Sequence, residues 1–441
     1  MIDFKLLIDK ALKLGFTDVE IVEQNSTSLE ISLYESKIEQ NKLSSNNSFT
    51  IRAIYEEKMV SIRVEDFEID FDELLNRLKQ NVLSIESEEK NEIYAGDELY
   101  PTVEKNEYDF DAIPTSKKID FLLEMEKKCK ELDERVVKVS DCVYEEFDSK
   151  YHIINSKGLD IVKYKKYCTA VVGVVAVENG STQDEYHFST KKSFEEQNAN
   201  EIASKAVEKA VAKFNAKPIK SDKYKVIIEN SAMGSLLNAF LSMFTGMAAI
   251  RKITPLIGKE ETKIMSDKIN IIDNPLLKEA IINNSFDDEG VACYSKEIVK
   301  NGVFKTMLHN LKTAKFFNSK STGSGYSGAR GITTAGCNFY IENGSKTKEE
   351  LIKSLDKGLL LTGFDGLHSG VDAISGDFSL KTSGFYIENG KITKPVTLIV
   401  ISGNFLQMMN EVIDVANDIE ISARTVFAPS ILFNDMAISG E

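Results

Sequence analysis

The sequence predicts an α+β protein of more than one domain, with mixed or largely antiparallel β-sheets flanked by helices. The chain has 441 residues, which is enough for two or three substantial cores. Its hydrophobic content is 42% and it contains only 7 prolines, a composition typical of a folded protein and not of a disordered one. Runs of β-forming residues outnumber the segments whose apolar residues recur at helical spacing. These observations together favour the α+β class.

The first predicted domain covers residues 1–90. It opens with an amphipathic helix that ends at Gly15, where a glycine can stop a helix. A second helix at 71–82 closes the domain. The apolar face of the first helix is formed by Phe4, Leu7, Ile8, Ala11 and Leu12. Four strands, separated by runs of Asn and Ser, are predicted at 19–22, 29–33, 49–54 and 59–64.

Residues 91–114 form an acidic linker, and residues 115–218 form the central region. The linker contains Pro101 and Pro114, which suit a long surface connection. Thr115 or Ser116 can cap a helix that runs to about residue 134. An antiparallel meander then precedes a long helix that ends before residue 218. Its strands are predicted at 143–147, 151–155, 159–168 and 169–177, with turns at 156–158 and 178–180.

The C-terminal domain, residues 222–441, is predicted to be rich in β-structure. It begins with a strand at 224–228 that enters a helix near residue 230. Asn389-Gly390 suits the two-residue turn of a hairpin. The segment before this turn, residues 366–388, contains four glycines, at which we expect backbone angles that other residues cannot adopt. These glycines are Gly366, Gly370, Gly376 and Gly384.

Composition also limits the partners and the compartment. The formal net charge of −15 repels a phosphate backbone, so we expect no nucleic-acid partner. The longest nearly apolar run, 168–177, is about half a membrane span and rich in valine, so we expect a buried strand and no membrane partner. The N-terminus shows no secretory signal pattern. The 5 cysteines are scattered, odd in number and without metal-ligand spacing, which favours the reducing cytoplasm.

Several segments carry a resemblance to a known family. They read GFTDVE at 15–20, SFDDEGV at 285–291, GLHSGVDAISGDFSLKTSGFYIENGKITKPV at 366–396, SGN at 402–404 and AISG at 437–440. In these segments the chain resembles the TldD/PmbA proteins, and the resemblance extends over the whole chain. It implies a TldD/PmbA-like fold.

The chain departs from this family in the helix after the strand at 224–228. Catalytic members carry a His-Glu-x-x-x-His motif there, in which the imidazoles bind zinc and the glutamate acts as general base on the metal-bound water. In this chain Asn238 and Met243 occupy the two histidine positions, and Ala239 occupies the glutamate position. A family cysteine ligand falls at Ala428. Amide, thioether and methyl groups cannot replace two imidazoles and a thiolate around zinc.

The resemblance therefore implies the metal-free TldE, or PmbA, type of subunit. Such a subunit pairs with a zinc-bearing TldD-type subunit in a metallopeptidase complex that acts on flexible peptides. We expect no catalytic residue, metal or cofactor in this chain, zinc in the partner, and a role in shaping the cavity and holding the peptide. Two alternatives stay open. One is a stand-alone hydrolase with an atypical metal site, and the other is a homodimeric regulatory or binding protein.

Three residues are candidates for contact with a peptide. His368 lies in a glycine-punctuated loop whose polar groups can converge on a bound chain, and Asp377 follows it closely. Arg330 is the single cation of the loop at 321–330, which lacks the Gly-Lys-Ser/Thr ending of a phosphate-binding loop. For His368, stabilisation of the turn is the competing interpretation.

Two further groups favour structural interpretations. His187 follows two acidic residues and is interpreted as a solvated strand end rather than a metal ligand. The acidic sequence Asp287-Asp288-Glu289 suggests paired carboxylates or a cation site, but a turn that leads into a hairpin is the stronger interpretation.

Overall fold

A computed structural model of the chain describes residues 2–82, 92–328 and 331–441, and it confirms the α+β fold class. Both helices predicted in the N-terminal region are confirmed. The elements of this region are α1 (Phe4–Lys13), β1 (Asp18–Tyr34), β2 (Lys37–Tyr55), β3 (Lys58–Val64) and α2 (Phe71–Val82). Gly15, just after α1, has a φ of 95°, as a helix-stopping glycine requires.

The prediction of short N-terminal strands was wrong, because the Asn and Ser runs lie inside two long strands. Asn25 in β1 is opposite Asn47 in β2 on one side and opposite Lys150 on the other. A strand paired on both sides is held by backbone hydrogen bonds along its whole length, which override the weak strand propensity of Asn and Ser.

The central region also has fewer and longer strands than predicted. Its elements are α3 (Thr115–Leu132), β4 (Val136–Asn155), β5 (Asp160–Glu178), β6 (Ser181–Lys191) and α4 (Ala199–Val211), and a 3-10 helix (Phe110–Ala112) lies in the predicted linker before them. The predicted turns at 156–158 and 178–180 are confirmed. The predicted side-chain cap of α3 was wrong, since Pro114 occupies the N-cap position and no side chain caps the helix.

The strands of these two regions form one six-stranded sheet in the order β3-β2-β1-β4-β5-β6. The N-terminal helices cover one end of this sheet around Leu7 and Phe49, and α3 and α4 cover the other end around Leu122 and Ala206. The pairing of β1 with β4 therefore joins residues on either side of the predicted linker into one sheet.

The C-terminal region begins with β7 and then α5, whose position determines the candidate site. Its elements as far as residue 341 are β7 (Asp222–Ile228), α5 (Asn230–Phe240), a 3-10 helix (Leu241–Phe244), α6 (Gly246–Ile250), β8 (Ile271–Asp273), β9 (Lys296–Lys300), β10 (Val303–Phe304), α7 (Leu311–Phe316), β11 (Gly325–Gly328), β12 (Gly331–Thr334) and β13 (Phe339–Ile341). The remaining elements are α8 (Lys348–Lys353), β14 (Lys357–Asp365), β15 (Asp377–Glu388), β16 (Lys391–Asn404), α9 (Phe405–Asn410), β17 (Val412–Val415), β18 (Val426–Phe427) and β19 (Ile431–Ser439).

Two main sheets enclose α5. One has the order β16-β15-β14-β7-β19-β17, and a further pairing of β16 with β19 closes it into a ring. The other has the order β10-β9-β8-β13-β18. Leu236, Leu237 and Phe240 of α5 are fully buried in the core that both sheets share. The helix is thus fixed on its apolar side, and only its polar side faces outward.

The glycine-punctuated segment contains a confirmed hairpin and two kinds of glycine. Asn389 and Gly390 have φ values of 50° and 70°, as a turn of this type requires, and they join β15 to β16. Gly366 and Gly376 also have positive φ values. The expectation of backbone angles closed to other residues was wrong for Gly370 and Gly384, which do not have positive φ values. At Gly384 the requirement is space, because a Cβ there would lie 1.9 Å from the carbonyl oxygen of Leu360.

Within the described ranges 2–82, 92–328 and 331–441, no helix is long and apolar enough to span a membrane.

Candidate functional site

A cleft of about 490 Å³ lies between the central region and the C-terminal region. One wall is formed by the end of β6 and by α4, and the other by the start of α5 and by the chain at 420–428. A cleft between two packed units is a common location for a ligand site. The cleft is therefore the first candidate for a functional site.

The start of α5 packs tightly against the segment that contains Ala428. Gly234 has no Cβ, and a Cβ built there would lie 3.5 Å from the backbone nitrogen of Ala428. Ala428 itself is buried and lines the cleft. Asn230 and Ser430 tie the two segments together, because the backbone N–H of Asn230 donates to Ser430 Oγ over 3.0 Å. The helix and the segment predicted to carry the family's ligands therefore do lie side by side.

The three positions that the resemblance assigns to the motif lie on α5 and on the 3-10 helix that follows it, and they differ in burial. Asn238 is exposed and Ala239 is half-buried in the last turn of the helix. After Phe240 the chain tightens into a 3-10 helix, and Met243 is fully buried in the core. Met243 therefore points into the core while Asn238 faces solvent.

Charged residues of both signs line the cleft. Its cations are Lys191, Lys205, Lys209, Lys348 and Arg424, and its carboxylates are Glu196, Glu201, Glu208, Glu229 and Glu420. Lys348 Nζ lies 2.7 Å from Glu229 Oε1, and Lys205 Nζ lies 3.0 Å from Glu201 Oε1 and 3.9 Å from Glu420 Oε1. Three of the carboxylates are thus paired with two of the lysines.

His187 lies within the cleft and is not the solvated strand end that we expected. It is half-buried in β6, and its Nδ1 lies 3.4 Å from Lys209 Nζ. Burial, together with the positive charges of Lys209 and Lys205, lowers the pKa of His187 to about 4. The imidazole is therefore neutral at pH 7, and its Nδ1 accepts a hydrogen bond from the lysine.

The predicted peptide-contact residues lie elsewhere. His368 and Asp377 are exposed, and neither lines the cleft. Asp377 accepts a hydrogen bond of 2.9 Å from Asn404 Nδ2. The loop between His368 and Asp377 is stabilised by Asp372, whose Oδ1 accepts from the backbone N–H of Ile374. Arg330 falls outside the described residues. Contact of these three residues with a peptide stays a prediction.

The acidic turn is a buried junction between the two halves of the molecule. The turn is confirmed, since Phe286 and Ala292 form an antiparallel bridge across it. Asp287 Oδ1 accepts from the backbone N–H groups of Glu289 and Val291. Burial raises the pKa of Asp287 to about 6. Burial, with Asp287 nearby, also raises the pKa of Glu289 to about 7.

Sequence reasoning missed the partner of this turn, Lys163 of β5. Its side chain is 4% exposed, and its Nζ lies 2.7 Å from Asp288 Oδ1 and 3.0 Å from the carbonyl oxygen of Phe286. A lysine in an alternating strand gives no sequence signal that its side chain enters a core. The only available signal was the cluster of three acidic residues, which required a compensating cation somewhere in the fold.

In the part of the chain that the structure describes, no three residues of the types His, Cys, Asp and Glu are grouped so that they could hold a metal ion. At the positions that the resemblance assigns to the zinc ligands and the motif glutamate, the side chains are the amide of Asn238, the buried thioether of Met243 and the methyl groups of Ala239 and Ala428. This set does not fit zinc, which takes imidazole, thiolate and carboxylate ligands.

Comparison with known proteins defines the class. Residues 19–82, 108–214 and 221–440 match, in turn, the family models of domain 1, the central domain and the C-terminal domain of PmbA/TldA metallopeptidases. The chain therefore belongs to the PmbA/TldD metallopeptidase family.

Among individual proteins, the chain is similar to the Metalloprotease PmbA homolog of Buchnera aphidicola. The two are 29% identical over 319 residues, which cover 72% of this chain and 69% of that one. A proposed modulator of a DNA gyrase from Thermotoga maritima has 29% identity and a TM-score of 0.90 over 99% of both chains. TldE from Thermococcus kodakarensis, at 22% identity, shares the fold with a TM-score of 0.89 over 99% of this chain and 100% of that one.

Proposed function

We propose that this chain is a non-catalytic subunit, of the TldE or PmbA type, in a zinc metallopeptidase complex that degrades or processes flexible peptides. The observation that carries the proposal is the position of α5 together with the side chains that it and the following 3-10 helix present. The helix keeps its place against the 426–428 segment, but the positions of the zinc motif hold Asn238, Ala239 and Met243. The place that the resemblance assigns to the family's metal site thus lacks the side chains that zinc requires, which supports the proposal.

The chemistry of these side chains supports the assignment. Ala239 has no group that can accept a proton from a metal-bound water, which is the task of the motif's glutamate. Met243 is fully buried, so its sulfur cannot reach a metal ion bound beside the exposed Asn238 unless the core opens. Catalysis in the complex is therefore assigned to a partner subunit of the TldD type that carries the zinc.

The role of this chain would then be to shape the cavity and to hold the peptide. The cleft beside α5 offers both charged groups and buried walls for that purpose. All five cysteines are buried and free, which suits the reducing cytoplasm in which we propose that the complex acts.

The test is reconstitution. The chain is purified alone and together with a zinc-motif relative from the same genome, and each sample is analysed by native mass spectrometry, metal analysis and a peptide-cleavage assay. We expect a heteromer with zinc in the relative, and cleavage that is lost when the relative's motif glutamate is replaced by glutamine.

Two results would contradict the proposal. Stoichiometric metal and cleavage by the chain alone would favour a stand-alone hydrolase with an atypical site. A stable homodimer that does not associate with the relative would favour a regulatory or binding protein.

A further inference from the structure

The cleft beside α5 contains two cations that are held by neutral groups instead of carboxylates. Lys209 Nζ lies 3.4 Å from His187 Nδ1, and the Arg424 guanidinium carbon lies 5.1 Å from the centre of the Phe188 ring. In the described part of the chain, neither cation forms an ion pair. Lys209 comes from α4 in the central region and Arg424 from the C-terminal wall, and both line the cleft. Their partners, His187 and Phe188, are consecutive residues of β6 whose ring centres lie 6.3 Å apart.

The carboxylates near Lys209 already have cations of their own. Glu185 pairs with Lys213, Glu229 pairs with Lys348, and Glu420 lies 3.9 Å from Lys205. Neutral partners orient a cation without cancelling its charge, so the charges of Lys209 and Arg424 remain available to a ligand. Burial is the main cause of the lowered pKa of His187, and the positive charges of Lys209 and Lys205 lower it further.

The other groups in the cleft limit the charge of the ligand. Five glutamates line the same cavity, and they would repel a polyanion such as a nucleic acid or a polyphosphate. A group with a single negative charge is repelled less than a polyanion is, because the repulsion scales with the charge of the ligand. The volume of about 490 Å³ has room for a few residues in an extended conformation.

We propose that this cleft binds the C-terminal carboxylate of an extended peptide, with Lys209 and Arg424 as its two charged contacts. The peptide as ligand rests on the proposed function, whereas the choice of a singly charged carboxylate rests on the cleft itself. The chain would then hold a substrate by its end and leave the rest of the peptide free to enter a partner's active site.

The experiment uses the full chain and two pools of random octapeptides, one with free C-terminal carboxylates and one with C-terminal amides. Retention of each pool is measured by mass spectrometry after rapid gel filtration, and affinities of individual retained peptides follow by calorimetry. We expect acids to bind about tenfold more tightly than the matching amides, because a charge-assisted contact is lost in the amide.

The double variant Lys209→Met and Arg424→Met should lower the affinity for acids to that for amides. A matched control, Lys13→Met with Lys42→Met, removes the same charge from exposed positions outside the cleft and should leave the difference intact. Circular dichroism and gel filtration check that both variants fold. Inorganic pyrophosphate is added as a competitor and should displace acids poorly.

Equal retention of acids and amides, including retention of neither, would overturn the inference. So would an unchanged preference in the cleft variant, or strong displacement by pyrophosphate, which would assign the cleft to phosphate ligands. These outcomes are separate from the reconstitution test. An active heteromer whose non-catalytic chain does not distinguish acids from amides would leave the proposed function standing and remove only this site.

Discussion

Lys163 Nζ of β5 lies 2.7 Å from Asp288 Oδ1 in the acidic turn, and this ion pair joins the large N-terminal sheet to the C-terminal region. Both side chains are largely buried, at 4% and 13% exposure. The lysine also donates to the carbonyl oxygen of Phe286, and Ser327 N–H donates to Asp288 Oδ2. The pair therefore holds the turn and the β11–β12 hairpin against the sheet.

We predict that Lys163→Met destabilises the protein by about 3 kcal/mol, because it leaves the Asp288 carboxylate buried without a cation. Urea unfolding followed by circular dichroism measures the change. Adding Asp288→Asn to this variant should recover part of the loss, since the amide oxygen still accepts from Ser327 and no charge remains. Equal stability of the single and double variants would show that the pair is not the source of the effect.

A second prediction concerns Glu289 and pH. Its pKa is about 7 in the folded protein and has its ordinary value near 4.5 in the unfolded chain. Between pH 4.5 and pH 7, the carboxyl group of Glu289 keeps its proton in the folded protein but loses it in the unfolded chain. Its contribution to the free energy of unfolding is therefore complete below about pH 4.5 and is lost as the pH rises through 7.

Glu289→Gln removes this loss and keeps an oxygen for the N–H of Leu311, which donates to Glu289 Oε2 over 2.8 Å. The difference in unfolding free energy between the variant and the natural protein should move in favour of the variant by about 2–3 kcal/mol between pH 4.5 and pH 8. Urea unfolding at four pH values measures it. Glu98→Gln, at an exposed position, is the control and should show no such trend.

A third prediction tests the electrostatics of the cleft. Because Lys209 helps to lower the pKa of His187 to about 4, Lys209→Met should raise the pKa of that imidazole toward its ordinary value. Proton NMR titration of the histidine ring signals, assigned with His187→Gln, follows the change. Burial is the larger cause of the shift, so the pKa should stay below 6.5. No change on removal of Lys209 would contradict the contact between the two side chains.

A fourth prediction concerns the positions of the zinc motif. Met243→His places a polar ring in a closed core and should cost about 2–4 kcal/mol of stability. Asn238→His lies on the exposed face of α5 and should change stability by less than about 0.5 kcal/mol. Urea unfolding separates the two. Equal effects would contradict the burial of Met243 in the core.

A fifth prediction uses a matched pair of glycines in the closed sheet. A Cβ at Gly384 would lie 1.9 Å from the carbonyl oxygen of Leu360, whereas a Cβ at Gly363 meets no atom within 4 Å. Gly384→Ala should therefore destabilise the protein by at least about 2 kcal/mol, and Gly363→Ala should have little effect. Thermal unfolding of both variants provides the measurement. Similar melting temperatures would contradict the close approach of β14 and β15.

Local signals in the sequence were enough for individual elements. The apolar spacing and Gly15 defined α1, and the helix predicted at 71–82 matches α2 residue for residue. Asn389-Gly390 predicted its hairpin because few other residue pairs adopt two positive φ values in a row. The departure of Asn238, Ala239 and Met243 from the zinc motif was also visible in the chain alone, because side-chain chemistry does not depend on the fold.

Other features depend on residues far apart in the chain. The run of Asn and Ser near Asn25 is a strand because β2 and β4 pair with it on both sides, and no local pattern contains that information. Met243 is buried because the 3-10 helix that carries it lies inside a core built by two sheets. The cleft combines Lys209 of α4 with Arg424 from more than two hundred residues later.

The sequence by itself determined the fold class, the helices α1 to α5, several turns, the family resemblance and the residue types at the positions that the resemblance assigns to the zinc motif, because each of these rests on residue type and short-range spacing. The tertiary structure decided the lengths of the strands, the partner of the acidic turn and the charged cleft beside α5. These depend on which distant side chains share a low-dielectric interior, and that is determined by the packing of the whole chain.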